Sequence, residues 1–172
     1  MIFLKLKTII LIICALLIVF LIKDSNYIIP KESIRIRIIS NSNRESDVKN
    51  KYKIQKNVEE KLYLLLKDAK SVKNAKEIIN NNLDYLNDYL KEISKTDYKI
   101  SFGNNYFPRK EYKGVVYEEG NYDSIVITLG NGSGDNWWCV LFPPLCLLDE
   151  NTNTKDVEYK IFVKELIKKY LK

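Results

Sequence analysis

Histidine is absent from this chain of 172 residues. That single absence removes Ser-His-Asp and Cys-His nucleophilic systems, together with the His-bearing zinc sites of wall hydrolases and metalloproteases. Cysteine is scarce too: there are three, and Cys14 falls inside the first apolar run, so a four-thiolate zinc site lacks ligands. Cys139 and Cys146 stand seven apart, wide against the CxxC of thiol oxidoreductases, and no βαβ pattern surrounds them. No metal or cofactor is expected. Strong charge of one sign is also missing. Beyond residue 23 the chain carries 25 basic and 22 acidic side chains, interleaved as in KNVEEKLYLLLKDAK, which reads as solvated helix faces and not as a nucleic-acid footprint.

The first residues, MIFLKLK, lead into an apolar run from Ile9 to Ile22 that ends at Lys23 and Asp24. A charged start before a run of this length is the pattern of an export signal. The run is short against the roughly 20 residues of a bilayer span, yet counting back to Leu6 brings a span within reach. Small residues of the A-x-A kind do not follow it, so a cleaved signal and a retained anchor both stand as readings of residues 1–23. Cys14 follows the bulky Ile13 and is read as an apolar side chain, not a lipid-attachment site. Residues 24–32 form a tether, and residues 33–172 a single domain, long enough to bury about 68–70% of its unfolded surface.

Ile34, Ile36 and Ile38 alternate with Arg35 and Arg37, the period of a strand with one buried face. SNSNRESD then supplies turn and capping residues. Val48, Tyr52, Gln55, Val58, Leu62, Leu65 and Ala69 make one helical stripe, which predicts a helix from Asp47 to Asp68. Val72, Ala75, Ile79, Leu83, Leu86, Leu90 and Ile93 make a second, from Val72 to Ser94, a stretch without glycine or proline, and a tight connection near Lys70 and Ser71 gives an antiparallel hairpin. Short β segments follow at Tyr98–Phe102, Val115–Tyr117 and Asp123–Leu129, with turns at Gly103-Asn104, Lys113-Gly114 and Gly120-Asn121. Val157–Leu171 closes as a third helix. The order β-α-α-β-β-β-loop-α predicts an α+β fold, a helical hairpin and a C-terminal helix packed on a mainly antiparallel sheet.

The least probable stretch is NWWCVLFPPLC, Asn136–Cys146, which holds both tryptophans, two of three cysteines and two of four prolines. Asn136, Trp137, Trp138, Phe142, Pro143, Pro144 and Leu145 are therefore the candidate partner-binding or structural motif, since a tryptophan buries about 150–250 Å² wherever it packs. Cys139 and Cys146 could close a disulfide if the FPPL segment reverses the chain, worth roughly 2.5 kcal/mol on a chain-entropy estimate; two free buried thiols are the other reading. GNGSGDN, Gly130–Asn136, follows an apolar strand but opens no helix and carries no Lys-Ser or Lys-Thr pair, so it reads as a glycine-rich strand connection and not as a phosphate cradle. The adjacent acids Glu118-Glu119 and Asp149-Glu150 raise the alternative of an exported cell-wall enzyme working through carboxylates, though adjacent acids are common in solvated turns. Tyr106, Tyr112, Tyr117 and Tyr122 suit a recognition surface or ordinary strand packing equally.

Two long segments carry a resemblance. IRIRIISNSNRESDVKNKYKIQKNV, Ile34–Val58, and YFPRKEYKGVVYEEGNYDSIVITLGNGSGDNWWCVLFPPLC, Tyr106–Cys146, with EYKIFVKEL near the end, resemble the stage II sporulation protein R family of endospore formers. The family usually has histidine where Arg37 stands, aspartate at Asn43, and an Arg-Asp pair at Gln55 and Lys56. The resemblance implies a forespore protein secreted into the space between the two membranes, or anchored there. In that space it would activate a membrane-embedded aspartic protease of the mother cell that processes the early sigma-factor precursor. It implies no catalytic residue, no nucleic-acid partner, and membrane contact through the leader if that segment is retained.

Overall fold

A computed structural model of the chain describes residues 7, 12–13, 27–29, 31–112, 115–146 and 156–171. The leader apart from residues 7, 12 and 13, the Lys113-Gly114 turn and the Asp149-Glu150 pair lie outside the described residues. Among those described, no helix is long and apolar enough to cross a membrane.

From Tyr27 onward the described residues form seven strands and four helices in the order β1 (Tyr27–Ile28), β2 (Ile34–Ile39), α1 (Glu45–Leu66), α2 (Val72–Asn81), α3 (Leu83–Ile93), β3 (Tyr98–Phe107), β4 (Lys110–Tyr112), β5 (Val115–Tyr117), β6 (Gly120–Leu129), β7 (Asn136–Phe142) and α4 (Asp156–Tyr170). The main sheet runs β3-β6-β2-β7, and a small sheet runs β1-β5-β4. β3 and β7 are antiparallel to their neighbours, whereas β2 lies parallel to β6. The fold is α+β, as the sequence predicts.

Strand alternation divides the chain between two cores. Ile34, Ile36 and Ile38 of β2, with Ile125, Ile127 and Leu129 of β6, face Ile54, Val58 and Leu62 of α1, Ala75 and Ile79 of α2, and Leu86 and Leu90 of α3. On the other side Val140 joins Ile29, Val115, Tyr117, Leu145, Val163 and Ile167 in a second cluster beneath the small sheet and α4. β7 serves both, which is why NWWCVLF shows no polar alternation and was not legible as a strand.

The structure corrects four local expectations. The expected helix Val72–Ser94 is two helices parted at Asn82, whose side-chain amide donates to the Ile78 carbonyl (2.8 Å) and competes with the helical ladder after three successive asparagines. β3 does not turn at Gly103-Asn104 but continues to Phe107, because β6 begins at Gly120 and supplies ladder partners along the whole length; Gly120-Asn121 accordingly opens that strand. β1 and β4, too short to show a period, and β7 add to the expected strands. The buried stripe of α1 runs through Lys51, Ile54, Gln55, Val58, Leu62 and Leu66, leaving Tyr52 at 55% exposed.

Lys51 turns inward because of a clamp between two loops. Its ammonium donates to the Asp135 carbonyl (3.0 Å), the Asn131 amide donates to Asn41 Oδ1 (3.0 Å), and the Asp135 amide to Asn43 Oδ1 (2.6 Å). The Ser133 and Gly134 amides bond back to the carbonyls of Asn41 and Ser40. Glycine is needed at this crossing: a Cβ on Gly134 would lie 2.5 Å from the Ser42 backbone, and one on Gly130 would collide with the Asn41 side chain. GNGSGDN is thus the seat of the SNSN turn.

Asp47 anchors the same turn, accepting from Ser42 Oγ (2.5 Å) and Asn41 Nδ2 (3.0 Å), with Arg44 at 3.4 Å. The Ser42 hydrogen bond, ahead of those from Asn41 and Arg44, holds its carboxyl below the ordinary value of 3.8. A lowered folded value means the contribution is complete above pH 3.8 and is lost as pH falls through the folded value. Acid unfolding followed by circular dichroism should therefore be shallower below pH 3.8 in Asp47→Asn than in the parent; identical profiles would refute the assignment.

Candidate functional site

The face of the main sheet opposite the α1–α3 layer is built by the arginine half of the Ile-Arg alternation. Arg35 and Arg37 project there from β2, beside Trp138 of β7, Tyr122 of β6 and Phe107 at the end of β3. Arg35 is fully buried. Its guanidinium carbon lies 3.4 Å from the Tyr122 ring centre, 5.2 Å from Phe107 and 5.1 Å from Trp138. Nη2 donates to the Glu118 carbonyl (3.1 Å), while among the described residues Nε and Nη1 have no hydrogen-bond partner and no carboxylate forms an ion pair with the group.

Burial lowers the Arg35 pKa to about 10, with Tyr122, Tyr117 and Cys139 opposing that shift. Since the unfolded chain binds the proton more tightly, this charge disfavours folding at neutral pH, and the disfavour eases only as pH rises above about 10. Stacking on three aromatic faces is what offsets it, because a desolvated cation over a ring gains about 2 kcal/mol. Arg37 repeats the pattern nearer the surface: its Nη2 donates to the Tyr106 carbonyl (3.0 Å), its guanidinium sits 4.5 Å from the Phe107 ring, Nε is unpartnered, and burial lowers its pKa as well.

The aromatics hold one another edge to face. Trp138 meets Phe107 at 5.5 Å and Tyr117 at 5.7 Å, and Phe107 meets Tyr122 at 6.2 Å. Above them Lys110 of β4 places its ammonium 5.2 Å from the Trp138 ring and 6.0 Å from Tyr112. Lys110, Tyr112, Tyr117, Trp138 and Cys139 line a small cleft of about 50 Å³. A half-buried tryptophan thus lies over the buried Arg35, beside the half-buried Arg37 of the neighbouring strand, and carries Lys110 on its outer side. Such a surface can hold an aromatic or acidic group of a partner.

The motif residues part company. Asn136 is exposed, Trp137 packs half-buried against the helix-side core, and Trp138 packs half-buried on the opposite face. Phe142, Pro143 and Leu145 are buried, and Pro144 lines a cavity of about 240 Å³ with Leu62, Leu66, Leu141, Cys146 and Tyr170. Phe142 and Pro143 are joined by a cis peptide bond. Of the two readings for Cys139 and Cys146, a disulfide or free thiols, the structure has free thiols, Cys139 half-buried and Cys146 buried. FPPL does bring Cys146 back beside β7, but both sulfurs turn to one acceptor, the Val140 carbonyl, at 3.0 Å for Cys146 and 3.6 Å for Cys139.

Of the tyrosines, Tyr122 donates to the Glu118 carbonyl (2.9 Å) and Tyr106 to Glu119 Oε2 (3.2 Å); that carboxylate raises the Tyr106 pKa. Glu118 in turn lies 3.9 Å from Arg109 Nε. Glu118 and Glu119 therefore point at different partners. Among the described residues no group of three or more His, Cys, Asp or Glu side chains could hold a metal ion. The residues missed from sequence were Arg35, Arg37 and Phe107. The alternation of arginine with isoleucine marked the opposite face, but a strand pattern alone assigns that face to solvent.

Comparison with known proteins places these elements in a family context. The family model described as stage II sporulation protein R matches residues 30–152, which take in the whole main sheet and the cation-aromatic face. The stage II sporulation protein R of Bacillus subtilis (strain 168) is 39% identical over 127 residues, covering 71% of this chain and 57% of that protein. The chain thus spans somewhat more than half the length of that curated relative. No solved structure matches.

Proposed function

The chain belongs to the stage II sporulation protein R family, and from that membership we propose that it is the forespore's exported signal to the mother cell. It crosses the forespore membrane by its N-terminal segment and remains in the intermembrane space, free or anchored. There it binds a membrane-embedded aspartic protease of the mother cell, and the protease then cleaves the precursor of the early mother-cell sigma factor. The observation that carries the reading is Trp138, a half-exposed ring inside the family's most distinctive segment, laid over the buried Arg35, which has no ion pair among the described residues. Energy of that kind is spent where a partner must be recognised, because a few aromatic and arginine anchors supply most of the free energy of an interface. Binding switches the protease only insofar as its active state is bound better than its inactive one.

Deletion of the reading frame in its sporulating host tests this. The sigma precursor should accumulate uncleaved, and an intact copy should restore cleavage. A Trp138→Ala copy should not, even where the exported domain keeps its helical circular dichroism. Normal precursor cleavage in the deletion strain would overturn the proposal.

A further inference from the structure

We infer that the outer edge of β7 receives an extended, acidic segment of the partner, which adds to the main sheet as a fifth strand. The inference rests on the reading that this chain works by being bound, and it names the surface and the chemistry of what binds.

The two edges of the main sheet are built differently. β3 presents Lys99, Ser101, Asn104 and Asn105 along its length, the charged and polar guard that keeps an edge from recruiting another chain. β7 reads Asn-Trp-Trp-Cys-Val-Leu-Phe, with no charge and no proline before Pro143, and no strand pairs with its outer side among the described residues. Its far end is already closed off: the register shifts opposite Ile34 and Arg35, and the Cys146 thiol folds back on the Val140 carbonyl. The open portion is Asn136–Cys139. There Trp137 and Trp138 stand half-buried on opposite faces of the strand, so each would cover one face of an incoming chain.

Charge sets the partner's chemistry. Arg35 and Lys110 lie against Trp138 and Arg37 sits opposite it on β2, and none of the three forms an ion pair with a carboxylate among the described residues; Glu118 and Glu119 are turned to Arg109 and Tyr106. A strand laid along β7 places alternate side chains over Lys110 and the cleft it lines, where an acid gains and a base loses. The other alternate set lies beside Trp137, where an apolar side chain fits. A second copy of this chain is disfavoured, since it would bring the same cations to the junction.

The chain's two tryptophans both lie on this edge, so their emission reports its occupancy directly. The probe is an acetylated, amidated octapeptide alternating Glu and Val, titrated into the full chain. A saturable blue shift is expected, about tenfold weaker binding for the Lys-Val analogue, and reversal of that preference in Lys110→Glu. The same Glu-Val peptide with every backbone nitrogen methylated keeps its charges but cannot join a ladder, and should not bind. Equal binding of the methylated peptide, absence of any saturable shift, or dimers of the chain joined at this edge in sedimentation would each overturn the inference. A chain that binds the peptide yet is dispensable for precursor cleavage overturns the proposed function alone; one required for cleavage that ignores the peptide overturns this inference alone.

Discussion

Phe142→Ala should lower the unfolding free energy by about 3–5 kcal/mol, and Phe142→Leu by less than about 1.5. Phe142 is 1% exposed, closes β7 opposite Ile34 and packs into the helix-side core, with its ring 5.0 Å from Tyr170 of α4. Truncation leaves a void at the point where α4 is tied to the main sheet. Leucine fills most of that volume without the edge-to-face contact. Urea unfolding followed by tryptophan emission measures both changes, and the denaturant slope should stay constant if the change is in stability alone. A loss below about 1 kcal/mol for the alanine variant would show that the C-terminal helix is not held at this ring.

Arg35 should answer differently to two substitutions. Methionine keeps an unbranched stem between Tyr122, Phe107 and Trp138 and removes a charge that burial penalises. Lost stacking and recovered desolvation nearly offset, and Arg35→Met should stay within about 1 kcal/mol of the parent. Alanine removes the stem as well and leaves a cavity under three rings, so Arg35→Ala should lose about 2–4 kcal/mol. Equal damage from both would mean that the charge, not the stem, holds the rings in place. Arg35→Met then separates folding from recognition, because the domain should remain folded while the cation beneath Trp138 is gone. Precursor cleavage in a host carrying Arg35→Met should fall towards the deletion level.

The α+β class was legible because its carriers are long and periodic. The Ile-Arg alternation of β2, the stripes at Ala75, Ile79, Leu86 and Leu90, and the apolar strand ending at Leu129 each repeat one period over several turns or pleats. Less was legible where a residue answers to two neighbours at once. β7 has a core on each face, so its composition lost the polar half of a strand signal. Lys51 looked like a solvated charge and Tyr52 a core ring. The loop clamp reversed them by offering the ammonium the Asp135 carbonyl, 84 residues away. The break at Asn82 was written locally in three asparagines, yet the unbroken apolar stripe outweighed them.

By itself the sequence determined what chemistry is open to this protein. A chain without histidine, with three cysteines and with a motif as specific as NWWCVLFPPLC belongs to a narrow set of functions before any coordinate is considered. Tertiary structure decided where that motif points. It put Trp137 and Trp138 on opposite faces of an edge strand and turned both thiols to one carbonyl. It also buried a guanidinium that periodicity assigned to water. The reason is physical: periodicity records which faces are apolar, whereas a buried cation is made tolerable only by rings contributed from β3, β6 and β7, and no local stretch of chain contains that arrangement.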